Sequence, residues 1–234
     1  MGEGLGAIDH KSEDIESAPR SSKLMIPRDA VRRNIEEIMP RYEFRTFAQN
    51  FGLVEEKIRK LSELEKFRES SEIYILSAGN NRNNTKIRYD TMDIKVFVKE
   101  KKGLQQWKSR MKGNFPMKAE VIRDEVFPAF SVAVPEFNLP EYSLEQYLED
   151  IIKPHPELAV AYVFKRRFGY TINGCISEIA ELLINGAAIK TVAIESVDTG
   201  VVLKAKEMLG LHEYENVNYL LAIKRILGVE TLAQ

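Results

Sequence analysis

Lys86-Ile87-Arg88, Met92-Asp93-Ile94-Lys95 and Phe164-Lys165-Arg166-Arg167 each set charge inside a run that otherwise reads as β-strand. Side chains of a strand alternate between its two faces. Lys86 and Arg88 therefore share one face, as do Lys165 and Arg167. On an open sheet these would be the water-facing sides of amphipathic strands. Repeated on several strands, cationic pairs at i and i+2 point instead to a sheet closed on itself with a charged interior. The fold expected is mainly β with flanking helices (α+β), a closed or nearly closed eight-stranded antiparallel β-barrel tunnel. The guest that such an interior suits is a polyanion such as a phosphate chain.

The rest of the chain is compatible with this. Its 234 residues, 44% hydrophobic and 29% charged, suit one large all-β domain or two small ones. The net charge of −1 provides no global field for nucleic acid or membrane. The single cysteine, Cys175, has no internal disulfide partner, which fits a reducing compartment. Residues 1–23 are polar, without a secretory pattern, and no apolar run reaches bilayer length. A soluble cytoplasmic protein is the expectation, with a flexible tail over 1–23 and a single domain over 24–234. Local charge is far from neutral: Arg82–Lys118 carries eleven Lys or Arg against three acids, and Ala119–Ala161 carries nine acids against two bases. Two such blocks could supply opposite sides of one site.

Periodicity and punctuation predict the elements. A helix opens at Pro27 and stops at Pro40, and a strand covers Tyr42–Phe47. A helix follows over about Leu53–Arg68, with Val54, Ile58, Leu61 and Leu64 as its stripe. Strands are predicted at Glu72–Ser77, Thr85–Asp90 and Asp93–Glu100, the last two turning across Thr91-Met92. Leu104–Arg110 reads as a short strand or turn, Glu120–Phe127 as a strand, and Ser143–Ile152 as a helix with a Ser cap. Strands at Leu158–Phe168, Cys175–Ile184 and Ala188–Val197 are separated by Asn173-Gly174 and Asn185-Gly186 turns. Helices at Thr199–Leu209 and Tyr219–Leu227 close the chain.

In order and spacing, residues 41–228 resemble the CYTH superfamily of triphosphate tunnel metalloenzymes, which includes class IV adenylate cyclases, thiamine triphosphatases and tripolyphosphatases. Tyr42-Glu43-Phe44-Arg45 stands at the family's opening E-x-E-x-K strand. Lys86-Ile87-Arg88 and Asp93-Ile94-Lys95 match its basic strand pair, Arg123-Asp124-Glu125 its R-x-E strand, and Lys165-Arg166-Arg167 its K-x-R strand. Glu178–Glu181 and Ala193-Ile194-Glu195 match the closing acidic and E-x-E strands. The resemblance implies phosphate binding by Arg45, Lys86, Arg88, Lys95, Arg123, Lys165 and Arg167. It implies Mg²⁺ or Mn²⁺ on Glu43, Glu125, Glu178 and Glu195, a small triphosphate as ligand, and a homodimer as an oligomeric form. Hard divalent ions take carboxylate oxygens and neutralise charge in phosphoryl transfer.

Three positions depart from the pattern: Arg45 and Ala193 replace glutamates, and Phe47 replaces the lysine. The leading expectation is metal-dependent hydrolysis of tripolyphosphate, thiamine triphosphate or a nucleotide. A class IV-type cyclase is one alternative. A binding module that keeps the cations and has lost metal chemistry is another. A single-stranded nucleic-acid binder using the Arg82–Lys118 block with Tyr89, Phe97 and Trp107 is the last. Trp107 is expected to plug one end of the barrel. Gly79–Asn84 lacks the Gly-Lys-Ser/Thr of a phosphate-binding loop, and Cys175 has no His or Asp at a useful spacing.

Overall fold

The computed structural model describes residues 39–229 together with Met1. The tail expected over 1–23 and the helix expected at Pro27 lie outside the described residues. Eight strands form a closed antiparallel barrel: β1 (Tyr42–Ala48), β2 (Lys66–Ser77), β3 (Asn83–Arg88), β4 (Thr91–Lys101), β5 (Leu104–Asn114), β8 (Leu158–Ile172), β9 (Cys175–Ile184) and β10 (Ala187–Ser196). Their order around the barrel is β1-β10-β9-β8-β2-β3-β4-β5. Tyr42 and Glu43 pair with Gln106 and Gln105 to shut the last seam. Two short strands, β6 (Met117–Lys118) and β7 (Glu141–Tyr142), pair outside the barrel. No helix among the described residues is long and apolar enough to cross a membrane.

The barrel is apolar outside and charged inside, and the helices explain why. The outward residues Phe44, Ile179, Val192 and Ile194 are buried under α1 (Leu53–Leu61) and α4 (Thr199–Leu209), against Val54, Ile58, Val202 and Leu209. On the other flank, Ile75, Ile87, Met92 and Ile94 are covered by helical segments α2 (119–129) and α3 (144–152), through Ile122, Phe127, Tyr147 and Ile151. With the apolar sides covered, alternation turns Glu43, Arg45, Lys86, Lys95 and Glu195 inward. Two register shifts, between Ile94 and Lys95 and between Phe97 and Lys99, act as bulges that bend the β4–β5 ribbon around the barrel.

The last helix, α5 (Tyr219–Leu227), packs Leu220 and Ile223 against Tyr74, Leu76, Ala161, Val163, Ala180 and Leu182. It fills part of the barrel with apolar side chains and leaves the charged part as a cavity. Asn218 caps it by accepting from the Leu221 amide, and Gly228 ends it at φ 66°. Buried Lys224 fastens the helix by donating to the carbonyls of Ala78 (3.3 Å) and Asn80 (2.7 Å) and to Asn81 Oδ1 (3.0 Å).

Several expected elements differ. The helix from Leu53 stops at Leu61, and Lys66–Arg68 already belong to β2. The β3–β4 turn is made by Tyr89 and Asp90, both at positive φ (49° and 57°), rather than across Thr91-Met92. Leu104 begins a full strand that runs to Asn114. The largest correction concerns Glu120–Phe127, which is helical: Ala119–Val121 leads into a π-helical turn, Ile122–Val126, and a 3₁₀ turn, Phe127–Ala129. Ile122, Val126 and Phe130 recur at four-residue spacing and are buried against the barrel's outer wall.

Candidate functional site

β1 supplies Glu43 and Arg45, β2 Arg68, Glu72 and Tyr74, β3 Asn84 and Lys86, and β4 Lys95. Trp107 comes from β5, Lys165 and Arg167 from β8, Glu178 from β9, Glu195 from β10, and Asn218 and Tyr219 from the start of α5. All except Glu72 line one interior cavity of about 200 Å³. Six cationic side chains on its wall face three carboxylates. Three buried polar atoms on this wall find no partner among the described residues: Asn84 Oδ1, Arg167 Nε and the Tyr219 hydroxyl. Buried polar groups are nearly always hydrogen-bonded in folded proteins, which sets these three apart from the rest of the wall.

The cations are held apart by a carboxylate that sequence reasoning missed. Glu72 has no exposed side-chain surface, and Lys165 Nζ lies 2.9 Å from its Oε2. Arg88 Nη1 (3.5 Å), Lys86 Nζ (3.8 Å) and Arg167 Nη2 (3.8 Å) surround the same carboxylate. The Tyr74 hydroxyl donates to Glu72 Oε2 (3.1 Å) and accepts from Lys165 Nζ (2.7 Å). Burial alone would raise the Glu72 pKa, but Lys165, Lys86 and Arg167 outweigh it and hold the carboxyl down at about 2. Burial also pulls the Lys165 ammonium down to about 7, with Glu72 opposing it. Lys165 lies 3.6 Å from the centre of the Tyr219 ring, a cation–π contact on its remaining side.

A second cluster centres on Arg45, which is 5% exposed. Its Nε donates to Glu43, Nη1 lies 3.6 Å from Glu178 Oε1, and Nη2 lies 3.9 Å from Glu195 Oε1. Its guanidinium stacks 4.6 Å from the centre of the Tyr219 ring. The segment before α5 clips this region in place: Asn216 Oδ1 accepts from the Arg45 amide (2.9 Å), and the Val217 amide donates to the Arg45 carbonyl (2.6 Å). Glu195 keeps 28% of its side-chain surface open, but onto the cavity. Burial first, and Glu43 second, push its pKa up to about 7 against the pull of Arg45 and Lys95. In carboxyl ¹³C NMR, one glutamate resonance that disappears in Glu195→Gln is expected to titrate near pH 7. A midpoint near 4 for that resonance would show that Arg45 outweighs burial.

Of the residues expected to grip phosphate, Arg45, Lys86, Lys95, Lys165 and Arg167 come together on the cavity wall. Arg88 reaches Glu72 but lies at an outer cleft with Tyr89 and Asp90. Arg123 is corrected: it sits on the π turn of α2, with half its side chain exposed, and pairs with Asp124 at 2.8 Å. Glu125 is corrected with it, being exposed on the same turn outside the barrel. Arg68 and Trp107 belong to the cavity wall, where Trp107 packs edge-on against Phe97 at 5.5 Å. Glu181 faces outward, 3.7 Å from Arg166. Cys175 is buried, and burial followed by Asp198 pushes its thiol up to about 11, which suits no nucleophile.

Glu43, Glu178 and Glu195 line the same cavity, and what they surround is a guanidinium. Mg²⁺ and Ca²⁺ need oxygens at about 2.0–2.6 Å on all sides. Among the described residues, no group of three or more His, Cys, Asp or Glu is placed to hold a metal ion. The residues present do not fit the divalent ion that the sequence resemblance implies.

No protein-family model matches the chain, and no curated protein sequence does. Solved structures do match. A conserved hypothetical protein from Pyrococcus furiosus is 15% identical with a TM-score of 0.46, covering 77% of this chain and 98% of that one. A protein from Hippeastrum, described as an adenylyl cyclase candidate with a dominant triphosphatase activity, is 10% identical (TM-score 0.46; 82% and 97% covered). A candidate adenylate cyclase from Bacillus halodurans is 8% identical (TM-score 0.43; 82% and 91% covered).

Proposed function

We propose that the chain binds a triphosphate-bearing or other linear polyphosphate anion inside the barrel. The observation that carries this reading is the convergence of Arg68, Lys86, Lys95, Lys165 and Arg167, from four strands, on one interior cavity. Charges in such a space are screened less than on a surface, so a chain of phosphates gains more from them there. Asn218 and Tyr219 place the amino end of α5 at the same wall, where the helix dipole also favours an anion. The volume of about 200 Å³ falls below the roughly 300 Å³ of sites that enclose drug-sized ligands. It favours a phosphate chain over an enclosed nucleoside, and so disfavours the cyclase reading.

Isothermal titration calorimetry tests this. Affinity is expected to rise from phosphate through pyrophosphate to tripolyphosphate, and to fall with added salt. Equal affinity for phosphate and tripolyphosphate, or none for either, would refute the reading.

Turnover is a second reading, favoured by Glu195. A carboxyl with a pKa near 7 on the cavity wall has the value a general base needs at neutral pH, when it could accept a proton from an attacking water. Phosphate release from tripolyphosphate that Glu195→Gln abolishes, with binding retained, is the result this reading requires.

A further inference from the structure

We infer that the Arg45 guanidinium is the resident cation of the three-carboxylate cluster, standing where a metal ion would otherwise sit, so that the cavity accepts polyphosphate without a divalent ion. This deepens the phosphate-binding reading, but its first test below uses no phosphate.

The register builds the arrangement. Arg45 pairs with Ala193, and Ala193 pairs with Glu178 across the next strand, so the three stand in a row. Glu43 pairs with Glu195 in the row beside it. Ala193 puts only a methyl group between Arg45 and Glu178, and the long Arg45 side chain occupies the space. A glutamate at 193 would bring a fourth carboxylate into this space. Arg45 and Ala193 therefore fit one another: the cation at 45 needs the small side chain at 193 beside it.

The guanidinium is engaged on every side. Nε bonds to Glu43, Nη1 reaches Thr191 Oγ1 at 3.4 Å and Glu178 at 3.6 Å, Nη2 faces Glu195, and one ring face rests on Tyr219. An arginine so held is permanently charged and cannot swing away to admit an ion. Arg68 adds a second positive charge, 3.7 Å from Glu178. A divalent ion placed among these oxygens would lie against a fixed positive charge.

The test is Mn²⁺ titration of the whole protein, followed by electron paramagnetic resonance of the free ion. Wild type is expected to leave Mn²⁺ free at concentrations where Arg45→Ala binds about one equivalent at least tenfold more tightly. Arg45→Lys, which keeps the charge, should behave as wild type. Arg45→Gln serves if the alanine variant does not fold. If neither neutral variant folds, wild type decides: stoichiometric Mn²⁺ binding overturns the inference, and none, with tripolyphosphate affinity unchanged by EDTA, supports it. Equal Mn²⁺ affinity in wild type and Arg45→Ala also overturns it, as does tripolyphosphate affinity that requires Mg²⁺. If tripolyphosphate binds under no condition while Arg45→Ala gains Mn²⁺, the cation assignment stands and the phosphate reading fails.

Discussion

Glu72→Gln is expected to lower the melting temperature by roughly 6–20 °C while tightening the binding of tripolyphosphate. Glu72 is fully buried and touched by four cations. Removing one partner of a buried ion pair costs about 3–5 kcal/mol, because the charges left behind are uncompensated. In a domain of this size each kcal/mol moves the melting temperature by about 2–4 °C. The glutamine can still accept from Tyr74, so the loss reports charge rather than shape. The sign of the pH dependence follows from the lowered pKa. The contribution of Glu72 is complete above its ordinary value near 4.5 and is lost as pH falls toward about 2. The gap between wild type and variant, measured by calorimetry, should therefore close across that window. Tripolyphosphate should restore more stability to the variant than to wild type, since it replaces the missing counter-charge. A melting temperature within a degree or two of wild type would mean that the four cations do not depend on Glu72.

Lys165→Met should act oppositely on the ligand, weakening rather than tightening its binding. The ammonium is 2% exposed and lies between Glu72, Tyr74 and Tyr219. Truncating one member of a buried charge contact costs a complex about 2–5 kcal/mol, so affinity for tripolyphosphate should fall about 30-fold or more. Stability should fall less than in Glu72→Gln, because Glu72 keeps Lys86, Arg88 and Arg167 and methionine fills the stem's volume. The neighbouring residue provides the control. Arg166 points outward, pairs with Glu69 at 2.8 Å and is about half exposed, so Arg166→Met should leave affinity unchanged. If 165 and 166 respond alike, the two faces of β8 have not been told apart.

The inverted barrel was legible because charge at i and i+2 is rare on a strand that is apolar between. Lys86 and Arg88 flank Ile87, and Glu43 and Arg45 flank Phe44, so one alternation marks both the buried outer side and the cationic inner one. Glu72 was not legible. It stands in a polar run, Glu69-Ser70-Ser71-Glu72, that reads as a strand's solvated start, and its four partners come from β3 and β8. Only the placing of β2 between β3 and β8 brings them together. Arg68 was hidden because Leu64 prolonged the helical stripe of α1 past Leu61. Arg123 and Glu125 were misplaced because Val121-Ile122 and Val126-Phe127 bracket three charges, a spacing that strand and helix templates both accept. Their burial against the barrel's outer wall selects the helix.

The seam between β1 and β10 joins residues such as Tyr42 and Ser196, and α5 must then enter before the apolar part of the barrel is filled. Pairings between such distant residues are slow to form, because a long loop must close before any contact rewards it. On the ribosome, the cationic wall stays open to solvent until the segment through Leu227 has emerged. Translation of almost the whole described chain precedes the covering of this wall by α5, and until then only the carboxylates of the neighbouring strands screen its lysines and arginines.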